Sequence, residues 1–285
     1  MVVVLGWVKG LGAVICPFIQ LRLAGLLVLT LAFPGAHASD RIITLAPHLT
    51  DMMLDLQGHS KLVGVSRFSK LPEDYASIPV VGDAFQLNIE QILELKPDLI
   101  LAWQGGAPRT VAKLEKLGFR IKFLGGDGLE AIATNYVAVG DAIDNNRLGR
   151  SLATHFSEAL KRLNQQYQRT TRKRVFMQIA EEQLFTVNDT HFMGQAISIC
   201  GGENIFAKVP VQIPVVSLES VLAAAPEIIV LVRSAGEASQ WGARWLEYLP
   251  KTRVAYVDAD LLSRPSRRIL EGIEALCRVV HYEGQ

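Results

Sequence analysis

One stretch of this chain occurs twice, at residues 88–101 and 217–230, and that duplication limits the possible folds more than any other feature. Glu90 and Glu219, Leu93 and Leu222, Pro97 and Pro226, and Asp98 and Glu227 all lie 129 positions apart. Each copy opens on a polar residue able to cap a helix, Asn88 or Ser217. Each carries a carboxylate in the first turn, where the helix dipole favours negative charge. The proline ends the helix and restricts the residue before it. The apolar run that follows, residues 99–101 or 228–231, reads as a strand buried on both faces. One helix–strand unit of this kind is commonplace. Two in matching register predict two similar lobes.

The rest of the chain alternates in the same manner. In the first half, residues 41–45, 62–65, 80–82 and 120–124 read as strands, and residues 50–56, 108–117 and 128–143 as helices. In the second half, residues 175–179 and 254–257 read as strands, residues 194–200, 241–249 and 269–280 as helices, and residues 260–264 as a loop. Strands alternating with helices predict parallel, helix-covered sheets. Between the halves, Leu148, Leu152, Phe156, Leu160, Leu163 and Tyr167 recur every three or four residues, the mark of one helix with a single buried stripe. At ~1.5 Å per residue that helix spans about 30 Å, enough to cross from lobe to lobe as a strut. The basic run at residues 169–174 reads as its solvated end. The expected organisation is an export segment at residues 1–38, an α/β lobe at 39–145, the linking helix at 146–171 and a second α/β lobe at 172–285.

With 285 residues and 49% apolar content, the chain has ample material for real cores. A net charge of +1 gives no footprint for nucleic acid. Residues 23–33 form an apolar core behind Arg22, followed by Pro34-Gly35 and a small-x-small site at Ala36-His37-Ala38. This is the pattern of a secretory signal cleaved after Ala38. The apolar segment before Arg22 leaves two alternatives, a start codon further in or a retained anchor, but Lys9, Pro17 and Arg22 interrupt it short of the ~20 clean residues of a span. In an exported chain Cys200 and Cys277 remain as an even pair, a disulfide candidate favoured over two buried thiols.

The chain resembles a known family at Ile42-Ile43-Thr44-Leu45-Ala46-Pro47, at Val63-Gly64-Val65-Ser66, in the first repeat through Trp103, at Gly201-Gly202-Glu203-Asn204-Ile205-Phe206, and at Ser217-Leu218-Glu219. These segments are similar to the periplasmic vitamin B12 (cobalamin)-binding proteins, within the solute-binding proteins that serve siderophore, haem and cobalamin ABC importers. The resemblance covers about residues 40–280. It implies a helical-backbone binding protein, in which one long helix joins two α/β lobes and a small-molecule ligand lies between them. It also implies a monomer in the periplasm that works with an inner-membrane permease and ATPase complex. The ligand it implies is cobalamin or a related corrinoid, with no cofactor or metal.

Position by position, the resemblance gives Glu90 and Glu219 the role of docking onto permease arginines, one from each lobe. Their ordinary alternative is dipole stabilisation worth ~0.3–1 kcal/mol. Phe68, Trp103 and Phe185 match ligand-facing aromatics just beyond strand ends, where ligands gather in open α/β sheets. Asp260 and Arg264 match a ligand-contacting loop, and Cys200 and Cys277 match a disulfide. Ala84 and Ile213 stand where the best-known cobalamin binder of the family has tryptophans facing the ligand, with Phe85 a substitute for one of them. This departure opens haem or a ferric siderophore as alternative ligands, the latter calling on Arg67, Arg109, Arg233, Arg264 or Arg267. An exported enzyme is the remaining alternative. Against it stand the absence of a Gly-x-Ser-x-Gly elbow, a phosphate loop or a His-Glu-x-x-His run, and histidines (His48, His59, His155, His191, His281) scattered singly. Of these, His48 follows the first strand and is either a hydrogen-bonded loop residue or an axial metal ligand in the cleft.

Overall fold

The computed structural model describes residues 40–282 apart from 169, 235 and 237. The expected export segment and the first residue of the basic run lie outside the described residues. In the first lobe the elements are β1 (Ile42–Thr44), α1 (Pro47–Asp55), β2 (Leu62–Val65), α2 (Ile89–Leu95), β3 (Leu99–Trp103), α3 (Pro108–Lys116), β4 (Ile121–Leu124) and α4 (Glu130–Ala142). The long helix α5 (Asn146–Tyr167) follows. The second lobe contains β5 (Lys173–Gln178), α6 (Phe192–Ile199), β6 (Gly202–Asn204), α7 (Leu218–Ala224), β7 (Ile228–Arg233), α8 (Trp241–Tyr248), β8 (Arg253–Asp258), α9 (Ala259–Leu262) and α10 (Ile269–His281).

The duplication extends to the sheets. One runs β2-β1-β3-β4 and the other β6-β5-β7-β8, and every pairing in both is parallel. Strand β3 is buried over Leu99–Ala102 and β7 over Ile228–Val232, as continuous apolar strands covered on both faces must be. The two repeat helices match cap for cap. The Asn88 side chain accepts the Gln91 N–H at 3.1 Å, and Ser217 accepts the Ser220 N–H at 3.2 Å.

Each repeat helix also ends in a left-handed residue directly before its proline, Lys96 at φ 44° and Ala225 at φ 43°. The proline rule favours extended backbone there, yet both helices close with the left-handed turn typical of a helix C-terminus. The Asp98/Glu227 pair has a shared task as well. Asp98 Oδ2 accepts the Arg41 N–H at 3.1 Å, and Glu227 Oε2 accepts the Arg174 N–H at 2.9 Å. In both lobes this carboxylate pins the start of the sheet's first strand to the repeat.

The long helix buries Gly149, Leu152, Phe156, Leu160 and Leu163. It crosses α4 closely at Gly140 and Gly149, where a Cβ on either glycine would fall about 3 Å from the other's Cα. A single apolar cluster runs from Ile42 and Leu101 in the first lobe, through Phe156, to Val175 and Leu276 in the second. The strut is thus part of a core shared by both lobes. The helix ends at Tyr167, so residues 170–172 form the connection and Lys173 and Arg174 begin β5, rather than serving as a helix end. No helix among the described residues is long and apolar enough to cross a membrane.

Candidate ligand-binding cleft

The carboxyl ends of the first sheet's strands face loops of the second lobe across a cavity of about 610 Å³. That size suits a sizeable small molecule, since ligand sites run to roughly 300–1,000 Å³. Phe68, Phe85, Trp103, Asp260 and Arg264 all line it, as do Ala84 and Ile213. Phe85 stands 92% exposed at the tip of a tight turn. Gly82 makes that turn possible, because a Cβ there would collide with the Gln86 carbonyl oxygen at 2.2 Å. Asp83 Oδ1 accepts the N–H groups of Phe85 and Gln86, both at 2.9 Å, and these bonds hold its carboxyl below the usual range.

Phe68 is 72% exposed and has a left-handed backbone at φ 66°, a conformation that is costly for a bulky side chain. A chain of hydroxyls braces this loop: Thr44 to Thr50 at 2.7 Å, Thr50 to Ser69 at 2.9 Å and Ser69 to Ser66 at 3.2 Å. From the other lobe, Arg264 Nη2 donates to the Phe68 carbonyl oxygen at 3.0 Å and to Asp260 at 2.9 Å. Asp260 also accepts from Lys70 of the first lobe, and this bond leads the causes that depress its carboxyl. Residues 259–262 are a short helix, not the loop expected there, because Asp258 caps it by accepting the Asp260 N–H. The helix fixes the spacing by which Arg264 and Asp260 pair. Arg264 Nη1 is buried without a hydrogen-bond partner, 3.9 Å from Asp51.

Phe185 lines neither this cavity nor the one beside it. It is held half-buried in an antiparallel bridge to Val215, and the pairing continues through Thr186 to Pro214 and Asn188 to Gln212. That ribbon carries the chain on to the start of α6, so His191 and Phe192 are the second lobe's ring-bearing wall residues. Nor are the histidines all isolated. His48 and His191, one from each lobe, line the same cavity. Burial lowers the His48 imidazole to about 3, with Arg264 adding to the effect, and lowers His191 to about 4. Both are therefore neutral at ordinary pH. His48 meets Trp103 edge-on at 5.7 Å, while His191 Nδ1 accepts the Met193 N–H at 3.3 Å. His48 was legible as a cleft candidate from its place just after β1, though it starts α1 and is not a loop residue, whereas His191 was not, since a single histidine near a helix start carries no periodicity. No group of three or more metal-ligating side chains occurs among the described residues.

Of the five arginines considered for an anionic ligand, Arg67 and Arg264 line the cavity, and each already has a carboxylate partner, Asp83 and Asp260 respectively. Arg267 instead reaches Asp55 at 3.2 Å. Away from the cleft, Cys200 and Cys277 form a disulfide between the end of α6 and the last helix. Glu90 and Glu219 are exposed in the first turns of α2 and α7.

Known proteins share this architecture. The periplasmic binding protein family matches residues 42–244. The chain is 37% identical over 244 residues to the vitamin B12-binding protein of Vibrio cholerae serotype O1, covering 84% of this chain and 88% of that one. It is 33% identical over 258 residues to the vitamin B12-binding protein of Yersinia pestis, covering 90% and 92%. Among solved structures, the periplasmic vitamin B12-binding protein BtuF of Vibrio cholerae superposes with a TM-score of 0.75 at 36% identity, over 85% of this chain and 96% of that one. The haem-binding protein RhuT of Roseiflexus shares the fold, with a TM-score of 0.72 at 21% identity over 86% and 98%. With two matching parallel sheets, a strut helix and this extent of similarity, the chain belongs to the periplasmic binding protein family.

Proposed function

We propose that this chain captures cobalamin or a related corrinoid between its lobes and delivers it to an ABC importer, a permease with its ATPase. The observation that carries this reading is the apolar, ring-walled cavity between the sheets. It leaves Phe68 and Phe85 bare in a chain whose named relatives bind vitamin B12. Large exposed rings clustered in a cleft indicate a binding surface, and burying them against a macrocycle supplies affinity. Arg264, bonded to Asp260 and to the Phe68 carbonyl oxygen, fixes the loop that presents Phe68 to the ligand. The work is capture, not catalysis, by a monomer exported to the periplasm with its signal removed after about Ala38.

Delivery rests on the duplicated glutamates. Glu90 and Glu219 occupy the same place in two equivalent, exposed helix starts, one per lobe. A matched pair of charges suits a partner that must grip both lobes, because complementary charge sets orientation and encounter rate. The shared core around α5 limits free hinge opening, so release calls for the permease to force the lobes apart.

Calorimetry of the mature protein against cyanocobalamin, cobinamide, haem and a hydroxamate siderophore tests the ligand. Binding of a corrinoid in preference to the other two is expected. Haem or siderophore binding with neither corrinoid bound would overturn the reading.

A further inference from the structure

Beside the apolar cavity, and sharing His48, Trp103, His191, Phe192, Ile213 and Pro265 with it, lies a second chamber of about 370 Å³. Its other walls are of a different kind. Besides the apolar side chains of Ala131 and Ile132, they include the side chains of Gln104, Asp127, Asn135 and Gln212 and the backbone of Gly125-Gly126-Asp127-Gly128. The loop has this form because Gly126 and Gly128 take left-handed backbone, at φ 122° and 72°. A Cβ at Gly128 would strike Gln195, whose side chain accepts the Leu129 N–H across the lobes at 2.8 Å. From the second lobe, Gln212 Nε2 donates to Asp127 Oδ1 at 2.6 Å, closing the chamber from the other side.

The unused hydrogen-bonding capacity is specific. Asn135 Oδ1 accepts the Gly125 N–H at 3.3 Å, which leaves its amide N–H groups to donate. Asp127 Oδ2 and the Gln104 amide have no protein partner among the described residues. The lining contains one carboxylate and no lysine or arginine. The two histidines at its boundary are neutral, so no cation offsets Asp127. Such a chamber offers a strong acceptor to an N–H group and amide dipoles to a C=O, while it repels an anion.

We propose that this chamber is a carboxamide subsite. Asp127, with Gln104 and Asn135, holds a neutral primary amide arm of the ligand and turns away an arm ending in a carboxylate. The inference deepens the corrinoid reading and rests on it. A corrin ring carries primary amides around its edge, whereas haem carries two propionates, so Asp127 separates two macrocycles that the apolar cavity alone would both accept. A like charge set opposite a ligand arm is a general means of excluding the wrong partner.

The test is calorimetry at pH 7 with cyanocobalamin and its separated monocarboxylic acid isomers, each differing from the parent by one amide hydrolysed to an acid. Asp127→Asn is the partner variant: it keeps the acceptor for Gln212 and removes the charge. The wild type is expected to bind at least one isomer roughly tenfold more weakly than cyanocobalamin, and Asp127→Asn to close that gap for the same isomer. Equal binding of all isomers by the wild type, or a gap unchanged in Asp127→Asn, would overturn the subsite alone. Failure of cyanocobalamin itself to bind would overturn the corrinoid reading together with the subsite.

Discussion

Arg264 of the second lobe donates to the main-chain carbonyl of Phe68 in the first, at 3.0 Å and across 196 positions of sequence. The residue whose backbone it holds is left-handed and presents its ring to the cleft. A strained, exposed aromatic persists only where its surroundings over-determine it, and such residues gather at ligand clamps. Here the bracing comes from the hydroxyl chain on one side and from the opposite lobe on the other.

Phe68→Gly separates the cost of that strain from its use. Glycine removes the left-handed penalty of ~1–2 kcal/mol and adds about 1 kcal/mol of chain entropy, so urea unfolding should change by less than ~1 kcal/mol. Deleting a core phenylalanine would cost ~3–5 kcal/mol instead. Corrinoid affinity should fall about tenfold with the loss of the ring. A large stability loss with affinity intact would make Phe68 structural and not a ligand contact.

Arg264→Ala should behave in the opposite way. Asp51 is only 5% exposed, and its carboxyl is already pushed up by burial despite the counteracting guanidinium. Removing Arg264 takes away that carboxylate's ion-pair partner and leaves it buried with only Arg268 and Ser266 to offset its charge, an arrangement that costs up to about 3–5 kcal/mol. Arg264→Met combined with Asp51→Leu should recover much of the loss. Unfolding of the single and double variants in urea decides this, and a single variant as stable as wild type would refute it.

The fold was largely legible because its signals are local. Periodicity located the strut from Leu148 to Tyr167, and the repeat located α2 and α7 with their caps. Most cleft residues were legible too, since Phe68, Phe85 and Trp103 sit in loops beyond strand ends, where parallel sheets gather ligands. Phe185 was misplaced because its orientation depends on pairing with Val215, thirty positions on, which leaves no mark on its neighbours in sequence. The His48–His191 wall and the Arg264–Phe68 bond were hidden for the same reason. Each joins residues from different lobes, and only the packed core around Phe156 sets their distance.

Reduction of the Cys200–Cys277 bond should lower stability without changing affinity. The bond closes a loop of 77 positions, for which the chain-entropy account gives about 4.5 kcal/mol. Neither sulfur lines the cavity or the chamber beside it. Cys200→Ala with Cys277→Ala, compared with wild type by unfolding and by calorimetry, tests both halves. An affinity drop in the folded variant would show that the bond shapes the cleft.

Stability should fall as the medium is acidified from pH 6.5 toward pH 4. The folded imidazoles titrate at about 3 for His48 and about 4 for His191, both below the unfolded value near 6.5. In that window the unfolded chain binds protons that the folded chain refuses, at a cost of about 1.4 kcal/mol per pH unit for each histidine. Asp51 and Asp189 are raised by burial, so they take up protons in the folded state and offset part of the loss. Urea midpoints at pH 7 and pH 5 should differ clearly in the wild type and less in His48→Gln. Equal drops in both proteins would remove His48 from the explanation.

Glu90→Ala combined with Glu219→Ala should abolish corrinoid uptake in cells while leaving binding by the purified protein unchanged. Both side chains are exposed, neither lines the cleft, and the caps of α2 and α7 come from Asn88 and Ser217. Both charges are exposed to water and screened by it, so losing them costs each helix too little to unfold either lobe. Each single variant should retain part of the uptake, because the remaining lobe still engages the permease. Uptake at the wild-type rate in the double variant, with normal protein levels, would reduce the duplicated glutamates to helix stabilisers and move the docking surface elsewhere.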